Sequence, residues 1–169
     1  PGLGKTTLAK EVFNDAFIQS HFDVRAWATV SQEHKAKDIL VSLLNYTQGK
    51  GDTDNTEDES KLADMLQKSL KSRRYLIVLD DMWSDKAWED VRLCFPSENR
   101  GSRILLTTRN TEVACSADTN NISLPIGPMS PDESWDLFES VAFVNEALPS
   151  EFETIGKQIV DQCEGLPLA

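Results

Sequence analysis

The first residues of the chain have the composition of a loop that binds phosphate. Gly4, Lys5 and Thr6 fill the second glycine, the lysine and the hydroxyl positions of the pattern G-x-x-x-x-G-K-[ST], whose first glycine would lie just before residue 1. Glycine lets the backbone approach a phosphate closely, and a helix that begins at the loop points its positive end at the anion. We therefore predict that the backbone N–H groups from Gly2 through Thr6 surround the phosphates of a nucleotide.

The residues of this loop have separate expected roles. Leu3 contributes a backbone N–H group, and Lys5 is expected to reach the β and γ phosphates. Thr6 offers its hydroxyl group to a magnesium ion, and Thr7 is expected to assist at the α phosphate. The predicted ligands are thus a nucleotide and Mg²⁺.

Two aspartates follow an apolar run farther along the chain. Asp80 and Asp81 come directly after Tyr75-Leu76-Ile77-Val78-Leu79, which has the length and composition of a buried strand. Because parallel strands end at one edge of their sheet, we expect Asp80 to hold magnesium there and Asp81 to orient the attacking water in catalysis. Taken alone, the two aspartates are equally consistent with a turn after a strand. The upstream Lys5-Thr6 favours the metal and water roles.

Arg109 is the remaining candidate near this edge. It follows a second predicted strand at residues 103–108, so its guanidinium group can reach toward a terminal phosphate. The alternative is an ordinary exposed arginine on a loop. The residues by themselves favour that alternative.

Strands and helices alternate up to about residue 128. Apolar spacing indicates helices near residues 8–17, 39–44, 62–70 and 88–93, and short apolar runs indicate strands at 24–30, 75–79, 103–108 and 122–124. This alternation predicts an α/β fold with a three-layer parallel sheet. The strand that normally precedes a phosphate loop would lie before residue 1, so we expect the first strand to be missing from the chain.

Only helices are predicted after residue 128. Ser130-Pro131-Asp132-Glu133 combines a capping residue, a proline at the first helical position and a carboxylate at the third. A further helix, which Gly165 should end, is predicted to bury a stripe of four residues. The stripe consists of Phe152, Ile155, Ile159 and Cys163. The expected domains are a nucleotide-binding unit at 1–128, truncated at its N-terminus, and a helical unit at 129–169, truncated at its C-terminus.

Composition excludes several classes of partner. The 17 lysines and arginines against 28 aspartates and glutamates give a formal net charge of −11, which disfavours the basic surface that nucleic acids require. A nucleotide needs only a local positive pocket. No stretch has the length of a membrane span, and the three cysteines lack the C-x-x-C spacing of redox or zinc sites. We expect a cytoplasmic (intracellular) protein with reduced thiols.

Six segments resemble, in order, the motif set of the NB-ARC domain of plant disease-resistance proteins. They lie at residues 2–9, 22–32, 76–83, 101–109, 133–138 and 165–169, and together they extend over the whole chain. Trp83, after the paired aspartates, and the segment Arg25-Ala26-Trp27 are similar to the coiled-coil (non-TIR) subclass. An ordered set of this kind is far more specific than a phosphate loop alone.

The resemblance implies a P-loop NTPase fold followed by the start of a helical ARC subdomain. It implies an ATP/ADP-binding molecular switch in immune signalling, ADP-bound at rest and ATP-bound when active, with slow hydrolysis at most. By similarity, Arg109 senses the γ phosphate and Pro167 contacts the adenine or ribose. The implied partners are leucine-rich repeat and N-terminal coiled-coil domains of the parent chain, and further copies of the protein in a homo-oligomer on activation.

The alternative function belongs to a different class. In a P-loop ATPase or kinase, turnover is itself the function, and such an enzyme would use the same Lys5, Thr6 and Asp80. The chain has no readable loop for a second substrate, and it ends its helical part in Gly165-Leu166-Pro167-Leu168-Ala169. Both features favour the switch.

Overall fold

The computed structural model describes residues 2–33, 35–48, 58–97, 101–117, 122–143 and 149–168. Within these residues, eight helices and three strands follow one another along the chain. They are α1 (Lys5–Asn14), α2 (Ala16–His21), β1 (Val24–Thr29), α3 (Ala36–Gln48), α4 (Glu59–Leu70), β2 (Tyr75–Met82), α5 (Asp85–Arg92), β3 (Arg103–Thr108), α6 (Thr111–Ala117), α7 (Pro131–Ala142) and α8 (Ser150–Gln162).

The chain forms two compact units. The larger unit is Thr6–Ser123, and the smaller unit combines Pro1–Lys5 with Leu124–Ala169. The division into domains at residues 1–128 and 129–169 stays a prediction.

The three strands of the larger unit form one parallel sheet in the order β1-β2-β3. β2 lies in the middle, and its side chains are buried along almost its whole length. A central parallel strand is covered on both faces, which explains why this segment reads as a continuous apolar run and not as an alternating one. The predicted α/β class with a parallel sheet is confirmed.

Helices cover both faces of the sheet. Ile77 and Leu79 of β2 belong to the main core, which also contains the buried leucines of α3 and α4. Leu76 and Val78 point the other way and pack in a second cluster with Ala9 of α1. Side chains alternate between the two faces of a strand, so each face of β2 meets a different layer of helices. The larger unit therefore has the predicted three layers.

The helix predicted over residues 8–17 is in fact two helices. Asp15 separates them, because its carboxylate accepts a hydrogen bond of 2.9 Å from the N–H group of Ile18 and caps α2. An aspartate in this position competes with the helical backbone and favours a new helix start. As a result Phe17 is 73% exposed, and Ala9 is the residue that α1 buries.

One further expectation is wrong, and one helix was missed. Residues 122–130 contain no strand, and Ile122 and Leu124 are exposed, so the strand predicted at 122–124 is wrong. Helix α6 was not predicted. It has seven residues and buries only Val113. A helix this short with one buried residue shows no recognisable apolar periodicity in the sequence.

The start of α7 in the smaller unit is confirmed. The hydroxyl group of Ser130 accepts a hydrogen bond from the N–H group of Glu133, and the Glu133 carboxylate accepts one of 2.8 Å from the N–H group of Ser130. The backbone and hydroxyl donors of Ser130 hold the pKa of the Glu133 carboxyl below its usual value. This reciprocal pair satisfies two N–H groups that a helix start leaves without partners.

The buried face of α8 is not the predicted one. Phe152, Ile155 and Ile159 are exposed, whereas Val160 is buried and Gly156 lies against the rings of Trp135 and Phe138 in α7. The apolar period is helical, but it does not show which of two neighbouring stripes packs. The helix ends at Gln162, and Gly165 follows with a φ of +73°.

Gly156→Ala is expected to destabilise the protein by about 1–3 kcal/mol, the usual cost of overpacking. In an exposed helix interior the same change stabilises, by about 1 kcal/mol. Here a Cβ atom would lie 2.9 Å from Phe138 and 3.1 Å from Trp135, so the aromatic rings would have to move. Urea unfolding measures the change in the free energy of unfolding. Gly127→Ala is the matched control, because a Cβ atom there meets nothing within 4 Å. A stabilised Gly156→Ala protein would contradict the expectation.

Candidate functional site

The centre of the candidate site in the larger unit is the carboxylate of Asp80. Asp80 lies in β2 and is only 3% exposed. Its Oδ1 accepts a hydrogen bond of 2.8 Å from the hydroxyl group of Thr6 and one of 2.7 Å from the hydroxyl group of Thr107. Thr6 belongs to the first turn of α1, and Thr107 belongs to β3. The fold thus joins the hydroxyl of the phosphate loop to an aspartate 74 positions away in the sequence.

The two aspartates lie in an irregular part of β2. The strand does not end at Leu79 as predicted but continues to Met82. Leu79 pairs with Leu106 and Met82 pairs with Thr108, so β2 carries one more residue than β3 between these pairs. Such a bulge bends the strand and changes where its side chains point. In a regular strand the two aspartates would simply point to opposite faces.

Asp81 has an unusual backbone conformation within this bulge. Its φ is +57°, in the left-handed region that aspartate tolerates better than most residues. Its N–H group donates a hydrogen bond of 2.9 Å to the hydroxyl oxygen of Thr107. Asp81 is therefore held by a side chain of the neighbouring strand.

Arg109 lies beside Asp81. Its Nε is 3.2 Å from one carboxylate oxygen of Asp81, and its Nη2 donates to the other at 3.4 Å. The guanidinium carbon also lies 5.2 Å from the centre of the Trp83 ring, which is within the range of a cation–π contact. The side chains of Arg109 and Asp81 are 47% and 29% exposed, so water screens their attraction and the pair adds little stability. Its main effect is to orient the guanidinium group.

The glycines of the phosphate loop adopt conformations that favour glycine. Gly2 and Gly4 have φ values of +81° and +76°. In the smaller unit, a Cβ atom at Gly2 would lie 3.9 Å from Leu166, and one at Gly4 would lie 3.7 Å from Pro167. The loop therefore lies next to Pro167, the residue expected near the adenine or ribose.

Comparison with known proteins adds the deciding observation. Residues 1–148 match the NB-ARC domain. The chain belongs to the NB-ARC family. The whole chain is 44% identical to "Putative late blight resistance protein homolog R1B-14", 44% identical to "Putative late blight resistance protein homolog R1B-13" and 41% identical to "Late blight resistance protein R1-A", all from Solanum demissum. It spans only 13%, 15% and 13% of the lengths of these relatives.

Membership of the NB-ARC family implies nucleotide binding. The positions of the predicted site residues can be compared with what a phosphate-binding site needs. The structure places the predicted residues Gly2, Leu3, Gly4, Lys5 and Pro167 in the smaller unit and Thr6, Thr7, Asp80, Asp81 and Arg109 in the larger unit. Helix α1 begins at Lys5, directly after the loop. This arrangement satisfies the requirement that a helix N-terminus follows the phosphate-binding backbone.

The oxygen atoms around Asp80 suit a magnesium ion. Mg²⁺ prefers hard oxygen ligands, and in nucleotide sites it is held by few protein groups together with phosphate and water. The hydroxyl of Thr6 and the carboxylate of Asp80 are such groups, and they already lie within hydrogen-bonding distance of each other. Among the described residues, no three His, Cys, Asp or Glu side chains lie close enough to hold a metal by themselves. The Thr6 hydroxyl and the Asp80 carboxylate thus fit a cation that is bound together with a nucleotide.

Sequence reasoning missed two residues of this site. Thr107 bonds to both aspartates, and Trp83 contacts Arg109. The available signal for Thr107 was a polar residue in the predicted strand that precedes Arg109. For Trp83 it was an aromatic ring two residues after Asp81.

Two further features of the described residues concern membrane spans and cysteines. None of the helices in the described ranges has both the length and the apolar character that a bilayer span needs. All three cysteines are free. Cys94 is buried, which raises the pKa of its thiol, whereas Cys115 is exposed.

Proposed function

We propose that this NB-ARC chain is the ATP/ADP-binding switch module of a plant intracellular immune receptor, ADP-bound at rest and ATP-bound when active. The contact between the Thr6 hydroxyl and the Asp80 carboxylate carries the proposal, because it joins the two motifs that a nucleotide site with magnesium requires. The similarity to proteins named as late blight resistance proteins supports the role in defence.

The phosphate loop supplies affinity. The backbone N–H groups from Gly2 through Thr6 and the ammonium group of Lys5 bind phosphates that ADP and ATP share, and Thr7 assists at the α phosphate. Thr6 and Asp80 hold the cation, and a bound Mg²⁺ neutralises charge on the phosphates. Pro167 lies against the loop at Gly4, which supports its role near the base or ribose. None of these contacts separates the two nucleotides by itself.

Arg109 supplies the discrimination. A ligand shifts a two-state protein only through contacts that differ between the two states, so some group must respond to the γ phosphate. Asp81 and Trp83 orient the Arg109 guanidinium from two sides. A guanidinium group presents five donors, so a bond to Asp81 leaves others for a phosphate. We assign the γ-phosphate contact to Arg109.

Asp81→Ala is expected to lower the rate of ATP hydrolysis by about a hundredfold or more while the nucleotide stays bound. Asp81 orients the attacking water in this account, and a group that acts in the transition state contributes about 10²–10⁴ in rate. Single-turnover hydrolysis and the nucleotide content of the purified complete protein measure the two effects. Asp81→Asn is the control, because it retains hydrogen bonding to Arg109 without the charge. If Asp81→Ala empties the site, its assigned role is wrong.

The proposal extends to the location, domains and assembly of the parent protein. We place the parent protein in the cytoplasm, with leucine-rich repeats and an N-terminal coiled-coil domain of the non-TIR subclass as intramolecular partners of this module. Exchange of ADP for ATP then leads to homo-oligomer formation. The chain covers only 13% and 15% of two of its relatives, whose remaining length leaves room for such domains.

The rate of turnover separates the switch from the alternative, a P-loop ATPase or kinase. Enzymes of metabolism typically turn over about 1–10³ times per second. We expect the complete protein to hydrolyse ATP far below this range, because a switch must remain in one state long enough to signal. Steady-state phosphate release is the measurement. Turnover of many molecules per second would support the enzyme and contradict the switch.

A further inference from the structure

We propose that Thr107 is a positioning residue of the nucleotide site, which holds Asp80 and Asp81 through a single hydroxyl group. The inference rests on the proposed function, in which Asp80 helps to hold the magnesium ion. The Thr107 hydroxyl donates to Asp80 Oδ1 at 2.7 Å and accepts from the Asp81 N–H group at 2.9 Å. A hydroxyl group has one hydrogen to donate and two lone pairs to accept, so both bonds form together. Thr107 is only 9% exposed, which protects them from water.

The bulge in β2 explains why a hydroxyl is needed at this position. The extra residue of β2 between Leu79 and Met82 interrupts the regular ladder to β3. The N–H group of Asp81 donates a hydrogen bond to the side chain of Thr107. A partly buried N–H group without a partner would be unfavourable. Thr107 therefore stabilises the left-handed conformation in which Asp81 is found.

The Thr107 hydroxyl also holds the Asp80 carboxylate in place on the side of the sheet. Asp80 Oδ1 is held by Thr6 on the side of α1 and by Thr107 on the side of β3. When a nucleotide and its cation are bound, Thr6 has a second task as a ligand, whereas Thr107 has none. Thr107 thus keeps the carboxylate in place independently of the phosphate loop, and correct placement of a ligand group raises the affinity of a metal site.

The neighbouring threonine shows that this role is specific. Thr108 also lies in β3, but its hydroxyl donates to the Met82 carbonyl at 2.7 Å and accepts from the Asn110 N–H group at 2.9 Å. It has no hydrogen bond to either aspartate in the described structure. Replacing Thr108 removes a hydroxyl and a similar number of hydrogen bonds from the same strand, so it is a matched control.

The test is the effect of magnesium on ADP affinity in the complete protein. ADP binding is measured by calorimetry with Mg²⁺ and again with a chelator, and the ratio of the two affinities is the readout. We expect Thr107→Val to lower this ratio about tenfold, the effect of losing one hydrogen bond to a charged group. Thr108→Val should leave the ratio at its wild-type value. A Thr107→Val ratio equal to that of the wild type would overturn the inference.

A second pair of variants tests the inference if the Thr107→Val protein does not fold. Thr107→Ser keeps the hydroxyl group, whereas Thr107→Cys replaces its oxygen by a sulfur that is a weak donor and acceptor. We expect the serine variant to match the wild type and the cysteine variant to lower the ratio as Thr107→Val does. Equal ratios for the two would overturn the inference. A wild-type protein that binds ADP without responding to magnesium would also overturn it, and one that binds no ADP would overturn the proposed function first.

Discussion

Lys5→Ala is expected to remove nucleotide binding from the complete protein, with the affinities for ADP and ATP each falling by at least about a hundredfold. Lys5 begins α1 directly after the glycine loop, and its ammonium group is the positive side chain of the phosphate-binding motif. A hydrogen bond to a charged group contributes about 1.5–3 kcal/mol, and one lysine can bond to two phosphates. Because both nucleotides carry the shared phosphates, both should be lost together.

Calorimetry with ADP and with a non-hydrolysable ATP analogue measures these affinities. Lys10→Ala is the matched control, since Lys10 is an exposed lysine of the same helix and the change in net charge is identical. We expect the control to bind like the wild type. An unchanged ADP affinity in Lys5→Ala would show that the nucleotide does not bind at this loop.

Arg109→Ala is expected to weaken ATP binding by about ten- to a hundredfold and to change ADP affinity by less than about threefold. A charge-assisted contact to the γ phosphate, with a contribution of about 1.5–3 kcal/mol, exists only with ATP. The loss of the Asp81 pair costs little, because that pair is partly exposed and water screens its attraction. Signalling by the receptor should fall together with ATP affinity.

Two variants test this explanation by competition between ADP and an ATP analogue. Arg109→Lys keeps the charge but loses the forked geometry, so we expect an intermediate loss of ATP affinity. Arg103→Ala removes an exposed arginine from the other end of β3 and should leave both affinities unchanged. Equal losses of ATP and ADP in Arg109→Ala would make Arg109 a structural residue.

The sheet and its helices were largely predictable because burial leaves a strong mark in the sequence. β3 has the predicted bounds, and the leucines whose spacing predicted helices at 39–44 and 62–70 are all buried in α3 and α4. The contact between Thr6 and Asp80 also follows from two short motifs, because a loop that begins a helix and the end of a parallel strand meet at one edge of the sheet.

The bulge in β2 was not predictable from the strand alone. A bulge is an extra residue relative to the neighbouring strand, so it can be recognised only when the pairing of β2 with β3 is known. The hydroxyl group that stabilises Asp81 also comes from β3. The exposed stripe of α8 has a similar origin. Ile155 and Val160 are both apolar but lie on different faces of the helix, and the packing of α7 around Gly156 decides which of them is buried.

The pairing of Arg109 with Asp81 also lies beyond sequence reasoning. The two residues are 28 positions apart, and separate roles were predicted for them. Their contact couples these roles, since a change at Asp81 alters the surroundings of Arg109. The roles themselves stay predictions until the variants are measured.

The most direct test of the central claim is the identity and amount of nucleotide that co-purifies with the complete protein. The protein is denatured, and the released nucleotide is separated by chromatography and compared with the protein concentration. The account predicts close to one ADP per chain for the wild type and for Lys10→Ala, and none for Lys5→Ala. A wild-type protein that carries no adenine nucleotide and binds none when it is added would contradict it.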